Sequence, residues 1–468
     1  MKRPILLFVA LLFIAAFLSG CAVRRPYVAP VTPPVALSQA AVPAFAEQSY
    51  DPNWWRLFED PVLERLEAAA LAANHDIRQA VARVDQARAI FDDVALDRYP
   101  TAGVGASVDV REQATPGFTD EPLRTNTYRV GLEAFWEIDL FGGVRSAVRA
   151  ARADAQGLEA SLGDVRVVVA AEVARNYFDL RGLQQQLAVA DRSLVNQREA
   201  LRLTGVRRDA GVGEEQDVAS AAASVAAVEA SIPPLRARLA VQRHRLAVLT
   251  GVRPADLTED LAPRAYAPLM TTLPLGTTGQ LLRRRPDVRA AERRLAAATA
   301  REGIAAADLF PRISISGVLG LLAGRGNLFG RADSRAWAVT PALNWVGFDL
   351  GSARARLRGS EAVTREVLAG YEQTVLRAIE ETENALVTYR EDQARLERLM
   401  EQARQSARSA DLARIRYREG LTDFLDLLDA ERTQLGAEDA VARVEAGVFT
   451  SVVDVYKALG GAEAPAEP

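Results

Sequence analysis

The sequence predicts a mainly α-helical chain that also carries four long β-strands and an internal two-fold repeat. Three observations predict this fold class. Similar short motifs recur in the same order about 210 residues apart, each half contains two segments of alternating apolar and polar residues, and each half contains a stretch of about 65 residues without proline. The alternation has the period of a β-strand, and apolar residues at helical spacing predict helices elsewhere.

The composition favours a folded protein and argues against several classes of function. Of the 468 residues, 49% are apolar and 25% are charged, a balance typical of globular chains. The net charge of −4 argues against a nucleic-acid-binding protein. One cysteine excludes an intrachain disulfide and a cysteine-based metal cluster. His75 and His244 stand far apart and Lys457 lies outside any phosphate-loop motif, so we expect no metal, no cofactor and no enzymatic activity.

Residues 1–20 have the pattern of a secretory signal peptide. A short basic segment precedes an apolar stretch from Ile5 to Phe17, which is too short to span a membrane as a mature helix. The following Leu18-Ser19-Gly20-Cys21 resembles a bacterial lipobox, in which the cysteine is acylated and becomes the first mature residue. The alternative is an ordinary signal peptide with a chance cysteine. We predict a covalent lipid on Cys21, followed by an extended, proline-rich tether over residues 21–50.

The internal repeat is visible where motifs correspond between the two halves. Residues 74–80 correspond to residues 285–291, Tyr99-Pro100 corresponds to Phe310-Pro311, and a turn at Gly211 corresponds to a turn at Gly420. A tandem duplication explains this order, and its period is too long for one unit of a solenoid. We therefore predict a first repeat at 51–260, a second repeat at 261–460 and a flexible tail at 461–468.

Each repeat begins with a helical stretch, Val62–Leu96 or Pro286–Leu309, and continues with two alternating segments. These segments are Thr101–Arg111 and Thr127–Leu140 in the first half, and Ile313–Leu321 and Trp337–Asp349 in the second, where Pro341 weakens the pattern. A soluble hairpin would have strands of about 5–6 residues, whereas crossing a bilayer takes about 9–11. We therefore predict four transmembrane strands. Aromatic residues near the strand ends suit a membrane girdle, namely Tyr128, Trp136, Trp337 and Trp345.

The longest predicted helices follow the strands. Val144–Arg208 and Ala353–Arg418 contain no proline, and about 65 residues at about 1.5 Å per residue would make a rod of roughly 100 Å. Each rod ends in a glycine-containing turn, after which a helix returns over Glu214–Thr250 or Asp423–Leu459. Pro233-Pro234 should kink the first returning helix.

Four strands cannot close a membrane barrel, because antiparallel barrels need at least eight and open edges are not tolerated in lipid. Two copies would give about eight strands, whose interior is filled by side chains. Three copies would give about twelve, with a lumen that suits the polar faces of the strands. We therefore expect a trimer: a 12-stranded β-barrel in the outer membrane, continued by a long α-helical barrel in the periplasm.

Two motifs resemble the TolC-like outer membrane efflux protein family, in its lipoprotein (NodT-type) branch. They are residues 54–61, from Trp54 to Pro61, and residues 281–292 together with Phe310-Pro311. The resemblance covers almost the whole mature chain. It implies a homotrimeric exit duct for drugs or other small molecules in a tripartite pump, with a periplasmic adaptor and an inner-membrane transporter. The sequence leaves open whether that transporter is driven by protons or by ATP, and the lipoprotein branch favours the proton-driven RND type. Ala22 after the cysteine is similar to sequences sorted to the outer membrane.

By the same resemblance, the functional residues lie at the periplasmic tip. The two glycine turns resemble those on which adaptor hairpins dock. An alternative role for the glycines is simple helix capping. The two roles are compatible, because the docking hypothesis requires only that Val212 and Leu421 are exposed beside the capped turns. The predicted docking residues are Arg208, Gly211, Val212, Arg416, Tyr417, Gly420 and Leu421.

Three carboxylates complete the predicted site. Asp426 and Asp429 match positions that form acidic rings at the periplasmic aperture of the family, and their spacing places both on one helix face. The alternative is a solvated acidic first turn of a helix. Asp217 matches a position that is latched by an arginine, but Thr422 stands where that arginine can be. Arg416 or Arg418 could take its place.

Two other classes of function were compared with the channel. A periplasmic lipoprotein scaffold with coiled-coil hairpins and no channel would share the lipobox and the helices but not the four alternating segments. A hydrolase would need a catalytic motif, and no Gly-x-Ser-x-Gly sequence occurs to support one.

Overall fold

The computed structural model describes residues 27–30, 37–38, 44–46, 48, 53–115, 119–264, 272–275, 281–347 and 349–461. The predicted signal peptide, Cys21 and residues 462–468 of the predicted tail lie outside the described residues. The chain divides into two compact units. The first comprises residues 1–31, 83–159 and 290–372, and the second comprises residues 32–82, 160–289 and 373–468.

The order helix, two strands, long helix and returning helix occurs twice. In the first half the elements are α1 (Pro61–Ala73), α2 (His75–Leu96), β2 (Thr101–Thr115), β3 (Thr119–Ile138), α3 (Gly143–Asp209) and α4 (Glu215–Leu249). In the second half they are α5 (Leu281–Arg284), α6 (Pro286–Ala307), β5 (Arg312–Ala323), β6 (Arg335–Asn344), α7 (Leu350–Arg418) and α8 (Phe424–Ala458). Two short strands, β1 (Phe45–Ala46) and β4 (Leu273–Pro274), pair in parallel.

The predicted long helices are confirmed, since α3 has 67 residues and α7 has 69. Helix α4 continues through Pro233 and Pro234 as one element. The first predicted helical stretch is divided in two at Asn74. The buried side chain of Asn74 accepts hydrogen bonds from the amides of Asp76 and Ile77 at 2.8 and 3.2 Å and donates to the carbonyl of Leu249 at 2.9 Å. This residue therefore caps the start of α2.

The first unit contains a four-stranded antiparallel sheet in the order β2–β3–β5–β6. Its register places Val104, Leu132, Leu319 and Trp337 in one row across the four strands. These four side chains lie on the same face and are between 53% and 78% exposed. The predicted apolar face is thus confirmed as a continuous surface. The scaffold alternative, which lacked these strands, is not compatible with the sheet.

A row of small residues crosses the opposite face of the same sheet. Gly105, Gly131, Gly320 and Ala336 are neighbours from β2 to β6. A Cβ atom on Gly320 would lie 2.2 Å from the carbonyl oxygen of Val130, and one on Gly131 would lie 2.9 Å from that of Leu319. The two central strands therefore approach more closely here than a side chain would allow, and glycine at such a place is a means of bending a sheet.

Both repeats fix the junction between helix and strand in the same way. The indole N–H of Trp136 donates to the carbonyl of Arg98, and that of Trp345 donates to the carbonyl of Leu309, each at 3.1 Å. The prediction that the fourth strand continues to Asp349 was wrong, because β6 ends at Asn344. Trp345 leaves the strand to make its hydrogen bond, and Gly347 turns the chain with a φ of 47°.

Part of the predicted tether is attached to the folded protein. In the second unit, Leu37 is buried, and Ser38 donates through its amide and its hydroxyl to Glu383 at 2.6 and 2.9 Å. The core of this unit includes Trp54, whose ring stacks on Tyr456 with centroids 5.6 Å apart. The described residues of the segment thus add contacts to the core.

Helix α1 carries an unusual buried acid in the same unit. Glu67 is fully buried, as are its helix neighbours Leu63, Leu66 and Ala70. Neither carboxylate oxygen of Glu67 has a hydrogen-bond partner among the described residues. Burial raises the pKa of Glu67 well above its usual range, because the charged form loses its hydration.

Arg285 ties together three helices of the second unit. Its buried guanidinium donates to both oxygens of Asp287 at 2.8 and 3.0 Å and to Glu381 at 2.7 Å. It also donates to the carbonyls of Ala378 and Ala458 at 3.4 and 2.9 Å. All three guanidinium nitrogens therefore donate hydrogen bonds, to groups at the start of α6, along α7 and at the last residue of α8. The single ammonium group of a lysine could not make this set of contacts.

Candidate functional site

The two long helices end in the same hydrogen-bonded turn. After α3, the amide of Val212 donates to the carbonyl of Arg207 at 3.0 Å and that of Gly211 to Arg208 at 2.9 Å. After α7, the amides of Leu421 and Gly420 donate to Arg416 and Tyr417 at 2.9 and 3.1 Å. Both patterns are Schellman motifs. They need a left-handed residue, and Gly211 and Gly420 supply it with φ of 74° and 73°.

Each turn presents an apolar side chain to solvent. Val212 is 67% exposed and Leu421 is 68% exposed. Arg208 is also exposed and pairs with Asp209 at 2.7 Å and Glu215 at 3.2 Å. Each turn thus combines an exposed apolar side chain with exposed charged residues close to it in sequence, a composition that suits a protein contact.

Tyr417, predicted among the docking residues, is instead only 3% exposed. It lies in a small core with Phe424, whose ring meets it edge-on at 5.8 Å, and with Leu427 and Leu428. The pKa of Tyr417 is raised, chiefly by burial. The positive charge of the nearby Arg207 opposes this rise, and the negative charge of Asp217 adds to it. Its side chain therefore supports the turn from inside.

Arg207 is a residue of this site that the sequence analysis did not single out. Its Nη1 donates to the carbonyl of Tyr417 at 2.9 Å, and its guanidinium lies 4.8 Å from the centre of the Tyr417 ring. The contact joins the end of α3 to the end of α7. A signal was present in the sequence, since Arg207 and Arg416 both stand four residues before the turn glycine of their repeat.

The predicted carboxylates lie on the returning helices. Asp426 and Asp429 are exposed on α8, while Leu427 and Leu428 between them are buried. The hydroxyl of Thr422 donates to the carboxylate of Asp426, so this threonine holds Asp426 by a short contact within one subunit.

Asp217 is half-buried in the first turn of α4. Within the described part of one subunit, it forms no ion pair with Arg416 or Arg418, the two residues considered for its latch. Near the turns, a link between the halves is instead made by Arg207 and Tyr417.

A second polar link lies further along the helices. Glu431 of α8 is 5% exposed and accepts hydrogen bonds from Arg414 of α7 at 3.1 and 3.2 Å and from Gln197 of α3 at 3.0 Å. Burial raises the pKa of Glu431, and Arg414 opposes this rise. Arg207 and Glu431 are thus among the residues that connect α3 to the second helical pair.

The chain matches the family model described as outer membrane efflux protein over residues 66–252 and 277–461. It is 31% identical to the antibiotic efflux pump outer membrane protein ArpC of Pseudomonas putida, over 96% of this chain and 94% of that protein. It is 28% identical to nodulation protein T of Rhizobium leguminosarum bv. trifolii, over 92% of each. The solved structure of the outer-membrane channel OprN aligns with a TM-score of 0.92 and 46% identity, covering 94% of this chain and 99% of that chain.

Proposed function

We infer that this chain, which belongs to the outer membrane efflux protein family, is one of three identical subunits of a passive exit duct. The family places it in the outer membrane as a channel for efflux. Each subunit gives four strands to a closed barrel and its long helices to a tube in the periplasm. The cargo we propose is drugs or other small molecules, in keeping with the antibiotic efflux role named for a relative.

The open four-stranded sheet is the observation that carries this proposal. Among the residues that the structure describes, strands β2 and β6 each pair on one side only, yet the sheet has a continuous exposed apolar face of the kind that contacts lipid. Unpaired backbone groups in lipid cost several kcal/mol each. Pairing β6 of one subunit with β2 of the next removes both edges, and three copies make a barrel wide enough for a lumen.

Helix α4 also supports association of subunits. It contains a stretch apolar enough to span a membrane by length and composition, and only 22% of that stretch is buried within one subunit. The helix starts beside the turn at Gly211, among the predicted aperture residues. We therefore assign its uncovered apolar side to contacts with other subunits in the helical tube.

The two turns are the proposed contact with a periplasmic adaptor, which in turn joins an inner-membrane transporter, of RND type by the resemblance. Val212 and Leu421 supply apolar anchors and Arg208 and Arg416 supply charge. Asp217, Asp426 and Asp429 are proposed to line the aperture, where three copies would attract cations. Cys21 is proposed to carry the lipid that anchors the mature N-terminus.

Electron microscopy of the mature protein in detergent tests the duct. We expect three-fold symmetric particles with a barrel at one end and a helical tube at the other. Particles with two-fold symmetry, or single subunits in a detergent that keeps related channels intact, would contradict the proposal. Mass spectrometry of the N-terminal peptide tests the acylation of Cys21 separately.

A further inference from the structure

The described segment 27–30 is attached to the first unit through Tyr27. The hydroxyl of Tyr27 donates to a carboxylate oxygen of Glu292 on α6. The ring packs against a buried cluster of Ala153, Ala296 and Ala297. Tyr27 thus has both a polar and an apolar attachment, close to the predicted lipid site.

The carboxylate of Glu292 is itself held in place. Arg293 donates to both of its oxygens at 2.6 and 2.7 Å, and the Glu292 side chain is 18% exposed. Burial, followed by the contact with Glu292, raises the pKa of Tyr27, so the phenol stays a neutral donor at physiological pH. Val28, the next residue, is 76% exposed, so its side chain adds little to the attachment made by Tyr27.

We infer that Tyr27 and Glu292 form a clamp that leaves residues 22–26 as a short leash between the acylated Cys21 and the folded protein. The leash rests on the proposed lipidation, whereas the clamp rests on the contacts of Tyr27 alone. Without the clamp, the next described attachment is at Leu37 and Ser38, and the longer free chain would give the lipid a wide range of positions. A chain clamped at Tyr27 restricts the lipid to a short range of positions along the axis of α6.

The lengths of chain and helix define that range. The six steps from Cys21 to Tyr27 span at most about 20–22 Å when fully extended. The helix from Glu292 to its last residue, Ala307, is about 22 Å long, and β5 begins at Arg312. A leash of this length can therefore reach at most about as far as the junction of helix and strand, where we propose that the sheet enters the bilayer.

A spin label tests the clamp. Cys21 offers no free thiol when it is acylated, so Val28→Cys provides a single labelling site beside the clamp. In the purified full-length protein in lipid nanodiscs we expect a slow label, and Tyr27→Ala or Glu292→Ala should make it several-fold faster. Arg294→Ala, an exposed change on the same helix, is the matched control. A label that is equally fast in the parent and in Tyr27→Ala would overturn the clamp.

Shortening the leash tests whether its length limits the distance between the lipid and Tyr27. Deletion of Arg24 and Arg25 removes about 7 Å of reach. The acyl chains bury many CH₂ groups in the bilayer, so we expect a shortened acylated protein to keep its lipid in place and to release Tyr27. We expect the label at residue 28 to become fast. The same deletion should leave it slow in a Cys21→Ala protein exported with an ordinary signal peptide. Replacing both arginines by glycine keeps the length and is the control for lost charge.

Each outcome has a distinct meaning. A deletion that speeds the label equally with and without the acyl chain, or in neither protein, would overturn the short leash. An unmodified Cys21 in the mass spectrum would also overturn the proposed leash, because no lipid would then be attached to it. It would not affect the clamp, which the spin label tests on its own. The trimeric duct is judged independently by the symmetry of the particles.

Discussion

The guanidinium of Arg207 lies 4.8 Å from the centre of the Tyr417 ring and donates a hydrogen bond to the Tyr417 carbonyl at 2.9 Å. The two residues are far apart in the sequence and belong to different repeats. Their contact fastens the last turn of α3 to the last turn of α7. In the proposed duct it holds the two helical pairs of one subunit together where the aperture lies.

Loss of the Arg207 contact should loosen the aperture. A hydrogen bond from a charged group contributes about 1.5–3 kcal/mol, and every 1.4 kcal/mol changes an equilibrium about tenfold. We expect Arg207→Ala to raise the open population roughly tenfold, measured as conductance in planar bilayers and as sensitivity of cells to large antibiotics. Arg202→Ala on the same helix, where the arginine pairs with Glu199 of its own helix, should leave both unchanged. Unchanged conductance in Arg207→Ala would show that the contact does not restrain the aperture.

The exposed apolar turns should be needed for pump assembly. Leu421→Glu places a charge on the proposed adaptor contact without disturbing the backbone turn at Gly420. We expect at least a tenfold loss of drug resistance, with normal amounts of protein in the outer membrane. Val195→Glu, an equally exposed position further along α3, is the control. Full resistance in Leu421→Glu would place the adaptor contact elsewhere.

The glycine row should be needed for the barrel. Gly320→Ala would bring a Cβ within 2.2 Å of the Val130 carbonyl, whereas a Cβ on Gly317 of the same strand meets nothing nearer than 3.8 Å. We expect Gly320→Ala to lower the yield of folded, heat-modifiable protein in the outer membrane several-fold and Gly317→Ala to leave it unchanged. Equal yields for the two variants would mean that the close approach of β3 and β5 can relax.

Glu67 predicts a pH dependence of stability. Its pKa is raised in the folded protein, so above its usual value of about 4.5 the unfolded chain ionises while the folded chain keeps the proton. Stability is therefore lost as the pH rises from that value through the raised pKa. Glu67→Gln should remove this loss and stabilise the protein by about 1–3 kcal/mol at pH 8, with little gain at pH 4.5.

Thermal unfolding of Glu67→Gln at the two pH values checks the sign, with the partly exposed Glu64→Gln on the same helix as control. A gain that is the same at both pH values would show that ionisation of Glu67 is not its cause.

Local patterns in the sequence were enough to predict the strands, the long helices and the turns. The alternation around Val104 and Leu132 predicted the apolar face, because side chains of a strand alternate strictly between two faces. The position of Gly211 and Gly420 predicted the turns, because few residues other than glycine adopt the left-handed conformation.

Features that depend on contacts between distant residues were missed. The end of β6 depends on the hydrogen bond from Trp345 to Leu309, and the burial of Tyr417 depends on Arg207 and Phe424. Neither is visible in a local pattern. The same holds for Glu67, because periodicity places a residue on a helix face but does not say whether the opposite surface offers it a partner.

Arg285 has a mechanical consequence for the α7–α8 pair. The turn at Gly420 joins the two helices covalently, and Arg285 bridges the Ala458 carbonyl at the end of α8 to the Ala378 carbonyl, which lies partway along α7. Over the length that the two helices share, the pair is therefore held at both ends and resists sliding of one helix along the other. Any widening of the proposed aperture must come from swinging or untwisting of the pair as a whole, with Arg285 as its pivot.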